Sequence, residues 1–122
     1  MKTVKIALAI LAVTVLSVLI NSFVLSSVIK KYEKEVSKID SNKIESAFES
    51  YSAIYDNFNK EKDYISLTVN HEDLTNIEDN FAAAIGAARS HDESELEITK
   101  SRLLDALGHL RRLVGINLDS IL

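Results

Sequence analysis

Three histidines are the residues of this 122-residue chain best suited to catalysis or metal binding, and none of them lies in a recognised catalytic motif. His91 and Glu95 are four positions apart, a spacing that can place two metal ligands on one face of a helix. Two ligands do not complete a metal site. If Asp92 caps the next helix, His91 lies outside that helix, so we expect no metal there.

The other two histidines are better explained by local structure than by catalysis. His71 stands in the acidic first turn of a predicted helix, and no nucleophile or second base accompanies it. His109 falls on the polar face of the last predicted helix, where we expect a solvated side chain. The absence of cysteine excludes thiolate catalysis, and the three glycines are too scattered for a phosphate-binding loop. The sequence therefore predicts a protein that is not an enzyme and needs no cofactor.

The distribution of charge argues against nucleic acid as a partner. Only two of the 14 basic residues and none of the 18 acidic residues precede Ile6, which leaves a net charge of −6 on the rest of the chain. Such a balance repels a phosphate backbone. The basic cluster that directly follows the apolar N-terminus is a candidate for contact with lipid headgroups, with an ordinary solvated helix as the alternative. It consists of Lys30, Lys31, Lys34 and Lys38.

The N-terminus carries a segment long enough to cross a membrane. No charged residue occurs among the 24 positions from Ile6 to Ile29, and a helix of that length extends about 36 Å, against about 30 Å for the hydrocarbon of a bilayer. We expect an uncleaved anchor, with the N-terminal tail 1–5 in the cytoplasm and the C-terminal domain outside the cell membrane. A cleaved secretory signal is the alternative, although no Ala-x-Ala cleavage site is present. The basic cluster, counted alone, would favour the opposite orientation.

Helical periodicity dominates the remainder of the chain. Ile29, Tyr32, Val36 and Ile39 recur at helical steps and predict a juxtamembrane extension, residues 30–42, that is interrupted near Asn42. Three further apolar stripes predict three helices. Their apolar residues are Ile44, Ala47, Phe48, Tyr51, Ile54, Tyr55 and Phe58, then Leu74, Ile77, Phe81, Ala84, Ile85 and Ala88, and finally Leu96, Leu103, Leu107, Leu110 and Val114.

Capping residues predict where these helices begin and end. Asn42, Asn70 and Asp92 are the predicted N-caps, and Gly115 is the predicted C-terminal cap of the last helix. The segment 64–69 prefers a strand by composition, but we predict helical or irregular structure because a lone strand has no partner.

The predicted fold is all-α, with one transmembrane helix followed by a small antiparallel hairpin or three-helix bundle. The helical domain covers residues 43–115. Residues 116–122 form a C-terminal tail. A bundle of this size is marginally stable alone, so a partner or self-association could complete it. The aromatic face formed by Phe48, Tyr51, Tyr55 and Phe58 is the candidate partner-binding face, although aromatic residues at helical spacing are more often core. We therefore expect a membrane-anchored interaction module. An extracytoplasmic small-molecule sensor is the alternative.

Several segments carry a resemblance to a known family. They are Lys30-Lys31 after the span, the stretch from Ile65 to Leu74 with His71-Glu72, Ile77-Glu78, the leucine-rich last helix and the closing Asn117 to Leu122. In these segments the chain resembles an uncharacterised family of short bacterial single-pass membrane proteins with a C-terminal helical domain, described as a domain of unknown function. The resemblance implies the fold and membrane attachment, but no activity. Members are often encoded beside a multi-pass membrane protein, which implies such a protein as a partner.

Overall fold

Four helices joined by short turns make up the computed structural model, which describes the backbone of residues 1–121 and the side chains of residues 1–115. The helices are α1 (Lys2–Ser37), α2 (Ile44–Ser66), α3 (His71–Arg89) and α4 (Glu93–Ile121). The described backbone contains no strand. The all-α prediction is therefore confirmed, including a long apolar N-terminal helix followed by a helical bundle.

Helix α1 continues without a break from an exposed first half into a second half that packs in the bundle. Among the described residues it is the helix long and apolar enough to cross a membrane. Nearly all side chains of its first half, up to Ile20, are exposed. Its second half turns one face inward, and the buried side chains on that face are Ser22, Leu25, Ile29, Tyr32 and Val36.

The predicted juxtamembrane extension, residues 30–42, is therefore part of the bundle. The bundle has four helices, one more than the predicted three-helix bundle and two more than the predicted hairpin, because the second half of α1 packs with α2, α3 and α4. Even the predicted span 6–29 overlaps the bundle, since Leu25 and Ile29 are each 1% exposed. The sequence predicted which residues of α1 form an apolar stripe, but not that the other helices cover it.

The four helices run alternately up and down, and α1 packs most extensively on α4. Two contacts show that these helices are antiparallel. Arg111 of α4 donates a hydrogen bond from Nε to Glu33 Oε1 of α1 at 2.7 Å. Lys100, about three turns earlier on α4, donates from Nζ to the backbone oxygen of Ile39 at 2.7 Å, just beyond the C-terminal end of α1. The start of α4 therefore lies at the end of the bundle far from the apolar half of α1.

The core contains most of the apolar residues predicted from the periodicity. Ile44, Phe48, Tyr55 and Ile85 are only partly buried and pack against its edge. The largest fully buried side chains are Leu25, Ile29, Tyr32, Tyr51, Phe58, Ile65, Leu74, Ile77, Phe81, Leu96, Leu103 and Leu107. Each helix contributes to this set, so the core runs the length of the bundle.

Two predicted N-caps are confirmed and one is wrong. The side chains of Asn70 and Asp92 accept hydrogen bonds from the backbone N–H groups of Glu72 and Glu95 at 2.8 and 3.0 Å. The side chain of Asn42 does not cap α2. This helix begins one residue later than predicted, after Lys43, which makes no side-chain cap hydrogen bond. The Asp40 carboxylate instead accepts a hydrogen bond from the backbone N–H of Asn42 at 2.9 Å, which closes the preceding turn.

The predicted C-terminal cap at Gly115 is also wrong, because α4 continues through it to Ile121. Glycine costs only about 1 kcal/mol inside a helix, a penalty that neighbouring helical residues can outweigh. The side chains of the predicted tail, residues 116–122, lie outside the described residues. The segment 64–69 is helical up to Ser66 and then forms a turn, as predicted.

A matched pair of substitutions in α1 tests whether the end of the predicted span belongs to the bundle. Ile29 is 1% exposed and Ile20 is 55% exposed. We expect Ile29→Ala to lower the free energy of unfolding of the full chain by about 2–4 kcal/mol, because it opens a cavity in the core. Ile20→Ala should leave it nearly unchanged. Denaturant unfolding in a mild detergent, followed by circular dichroism, measures both. Equal effects of the two substitutions would contradict the packing of α1.

Candidate functional surfaces

The aromatic face predicted to bind a partner lies largely inside the bundle. Tyr51 is 0% exposed and Phe58 is 1% exposed, so neither side chain can touch another molecule without unfolding. Phe48 and Tyr55 are half-buried and pack against the edge of the core. Only these two residues of the face are accessible to a partner.

The buried aromatic rings join three helices to one another. Tyr32 of α1 meets Phe58 of α2 edge to face, with ring centroids 5.9 Å apart. Phe58 in turn packs on Phe81 of α3 at 5.6 Å, and Tyr55 stacks on Phe81 at 5.4 Å with nearly parallel rings. Such pairs stabilise a fold beyond the burial of their area, by about 0.5–1.5 kcal/mol each. The aromatic residues of α2 therefore contribute mainly to the packing of the core.

Two buried tyrosine hydroxyls differ in how they are satisfied. The Tyr32 hydroxyl donates a hydrogen bond to Glu61 Oε2 at 2.6 Å. Burial raises the pKa of Tyr32 above its usual value, and the hydrogen bond to Glu61 and the charge of Glu61 raise it further. The Tyr51 hydroxyl is buried without a hydrogen-bond partner among the described residues. Burial, helped by the charge of Glu97, raises the pKa of Tyr51 to about 12.

An open groove marks the accessible rim of the aromatic face. It has a volume of about 330 Å³ and lies between the start of α2 and the end of α3. The Arg89 guanidinium sits 5.8 Å from the centroid of the Phe48 ring, a cation–π distance. Apolar and charged side chains alternate around this groove, which is lined by Ile44, Glu45, Phe48, Glu49, Ala88, Arg89 and His91. We call it the rim groove.

The four lysines predicted to contact headgroups are all exposed, but they follow the side of the bundle. At about 1.5 Å per residue, Lys34 and Lys38 lie about 6 and 12 Å farther along α1 than Lys30. Lys31 Nζ is 5.7 Å from the centroid of the Tyr32 ring. Lys30 and Lys31 are therefore the two that lie close to the apolar half of α1.

A hydrogen-bonded cluster that the sequence did not predict links α1 to the turn after α2. Tyr64 donates from its hydroxyl to Asn21 Oδ1 at 2.7 Å, and Asn21 Nδ2 donates to Thr68 Oγ1 at 3.0 Å. The available signal was a single amide side chain within an uncharged apolar run. An amide in such a run needs partners, because an unsatisfied polar group in an apolar environment is costly. We call Asn21, Tyr64 and Thr68 the Asn21 cluster.

The histidines lie apart from one another and are exposed. His91 has a positive φ of 54° in the turn between α3 and α4, so it lies outside α4, as the sequence predicted. His109 Nε2 is 3.9 Å from Asp73 Oδ1, at a site open to solvent. In the described part of the chain, no three potential metal ligands come together.

The two buried tyrosines give a matched test of the core. Tyr51→Phe removes an unpaired buried hydroxyl and should leave the free energy of unfolding unchanged or raise it slightly, whereas Tyr32→Phe should lower it by about 1–2 kcal/mol. Denaturant unfolding of the full chain in detergent measures both. A larger loss for Tyr51→Phe than for Tyr32→Phe would contradict the assigned contacts.

The raised pKa values also predict the effect of alkaline pH. Both tyrosines ionise more readily in the unfolded chain, near pH 10, than in the folded one. The two protonated hydroxyls make their full contribution to the free energy of unfolding below about pH 10. This contribution is lost as the pH rises towards the pKa values of the folded state. Each Tyr→Phe variant should therefore lose less stability between neutral and strongly alkaline pH than the parent chain. A parallel loss in all three proteins would contradict this linkage.

We compared the chain with known protein families, curated proteins and solved structures. No family model, curated protein or solved structure matches the chain.

Proposed function

We propose that this chain is a non-enzymatic, membrane-anchored helical module that presents its bundle to a partner protein at the membrane surface. The observation that carries the proposal is the continuity of α1, whose first half is apolar and exposed while its second half is core. A helix with exposed apolar side chains on all sides needs an apolar solvent, and a bilayer supplies one. The same helix then holds the bundle directly against that bilayer.

The packing of α1 supports an uncleaved anchor over a secretory signal. Both pass the same test of length and composition. The nearest small-residue cleavage site, Val24-Leu25-Ser26, lies within the part of α1 that packs into the bundle. Cleavage there would remove Ser22 and Leu25, which are 4% and 1% exposed, and would leave their neighbours on the other helices uncovered.

The shape and charge of the bundle favour a protein partner. Small-molecule sites enclose most of their ligand, whereas the rim groove is open to solvent. The groove combines the half-buried Phe48 with Arg89 and two carboxylates, Glu45 and Glu49. Aromatic and arginine side chains are enriched in protein–protein interfaces. We propose that the rim groove, which lies at the end of the bundle far from the apolar half of α1, docks a second copy of this chain or the part of a multi-pass membrane protein that extends beyond the bilayer.

We propose that the N-terminus is cytoplasmic and that the bundle lies outside the cell membrane. A short tail with Lys2 and Lys5 before an apolar run is typical of a signal anchor. The lysines on α1, counted alone, favour the opposite orientation, but long domains that follow such an anchor are translocated largely regardless of their charge, and we give this second effect more weight.

Crosslinking in native membranes, followed by mass spectrometry, tests the proposed role. We expect the full chain to be crosslinked to another protein through residues near the rim groove. Arg89→Glu should lower the yield of that product by roughly fivefold or more, because reversing a charge at the centre of an interface costs at least about 1 kcal/mol. Arg102→Glu, an exposed change on α4, is the matched control and should leave the yield unchanged.

Thermal unfolding of both variants, compared with the parent chain, separates docking from stability. The proposed role requires unequal crosslinking yields at a temperature at which all three proteins are folded. Recovery of monomer alone, together with saturable binding of a small solute to the bundle, would overturn the interaction module and favour the sensor.

A further inference from the structure

The turn between α2 and α3 lies beside the apolar part of α1. The turn and the end of α2 before it are both tied to Asn21, since Thr68 in the turn and Tyr64 at the end of α2 each form a hydrogen bond with its side chain. The turn therefore sits at the height of Asn21 along the axis of α1. Phe23 and Val24, which follow Asn21, are still 68% and 41% exposed.

The thickness of a bilayer places this height inside the membrane boundary. If Lys5 marks one edge of the hydrocarbon, about 20 residues are needed to cross about 30 Å, which brings the other edge to about Leu25. Asn21 then lies about 6 Å inside that edge. Tilting α1 would draw still more of the helix into the bilayer. The end of the bundle that carries the turn must therefore enter the membrane interface.

The turn presents an apolar side chain at this position. Leu67 is 82% exposed, more than any other large apolar side chain of residues 2–115, and Tyr64 beside it is 41% exposed. A leucine at the tip of a turn gains from transfer out of water, and a tyrosine with an apolar ring and a bonded hydroxyl is typical of the membrane interface.

Three backbone N–H groups of the turn are hydrogen-bonded within the chain. The N–H of Leu67 donates to the oxygen of Tyr64 at 3.3 Å, and the N–H groups of Thr68 and Val69 both donate to the oxygen of Ile65 at 3.1 and 3.0 Å. These three N–H groups need no water molecule as a partner, which lowers the cost of placing the turn at the membrane interface. The side chain of Asn70 is likewise occupied, because it caps α3.

We propose that the turn 67–70, led by Leu67, inserts shallowly into the lipid bilayer as a second membrane contact beside α1. This inference rests on the proposed membrane span. Two contacts on one rigid bundle fix its orientation relative to the membrane, which a single helix cannot do. The turn brings Asp63, His71 and Glu72 close to the headgroups. Because two of these three residues are acidic, insertion depends on the apolar contact and needs no anionic lipid.

The absence of tryptophan from the chain allows a direct test with single reporters. Leu67→Trp, Leu16→Trp and Ile98→Trp place one tryptophan at the turn, in the middle of the span and at the far end of the bundle. All three side chains are exposed, at 82%, 57% and 43%, so each substitution leaves the core intact. The full chain is reconstituted into phosphatidylcholine vesicles that carry a quencher at a known depth in the acyl chains.

We expect a quencher near the top of the acyl chains to remove roughly half or more of the Leu67→Trp emission, as at an interfacial site, and to leave Ile98→Trp unchanged. A quencher deep in the acyl chains should act most strongly on Leu16→Trp. Lipids with shorter acyl chains should reduce quenching of Leu67→Trp, because a thinner bilayer ends before the turn. Added anionic lipid should not increase it.

The outcomes separate this inference from the proposed span. Quenching of Leu16→Trp without quenching of Leu67→Trp would keep the span and overturn insertion of the turn. Equal quenching of Leu67→Trp and Ile98→Trp, or no dependence of Leu67→Trp on acyl-chain length, would also overturn it. A Leu16→Trp variant that no lipid quencher reaches would overturn the span itself.

Discussion

The structure depends on one constraint, which is that a single uninterrupted helix is apolar and exposed over its first half and buried in the bundle over its second half. The change occurs within a few residues of α1, between the exposed Ile20 and the buried Leu25. Because the helix does not break there, the bundle cannot move independently of the apolar half. The Asn21 cluster sits at this transition and ties α1 to the α2–α3 turn. It satisfies an amide that would otherwise be costly in an apolar segment.

The same constraint explains how a small bundle is held together. α1 supplies Ile29 and Tyr32 to the core, and α4 packs along the helix that carries them. Without this half of α1, the remaining helices would have an uncovered apolar face and a core near the lower limit of stability. The aromatic rings of α2, which the sequence offered as a binding surface, are largely used to join α1, α2 and α3. What remains for a partner is the rim groove around Phe48 and Arg89.

Much of this fold could be predicted from local patterns. Helical steps identified most of the core positions, and Asn70 and Asp92 were recognised as caps because their side chains act within one turn. Asn42 and Gly115 were assigned wrongly for a related reason. Local propensity favoured a helix start at Asn42 and a helix end at Gly115. The Asp40 side chain instead closes a turn at Asn42, and α4 continues through Gly115.

Contacts between residues far apart in the sequence could not be predicted. The stripe from Ile29 to Ile39 was visible, but nothing in its spacing indicated that it faces α4 and not a membrane or solvent. The partners of Asn21 lie more than 40 positions away along the chain, so no short motif could indicate them. For the candidate site, the sequence located the aromatic face but could not separate the buried Tyr51 and Phe58 from the accessible Phe48.

Hydrogen exchange of the full chain in lipid nanodiscs, resolved by mass spectrometry, tests the continuity of α1 most directly. An uninterrupted helix whose first half spans the bilayer, as we propose, and whose second half lies in the bundle core keeps its backbone amides hydrogen-bonded throughout. Slow exchange is therefore expected from Ile10 through Val36 with no gap around Asn21 to Lys30. Rapid exchange confined to that interval would show a flexible joint between anchor and bundle, and would contradict a single rigid helix.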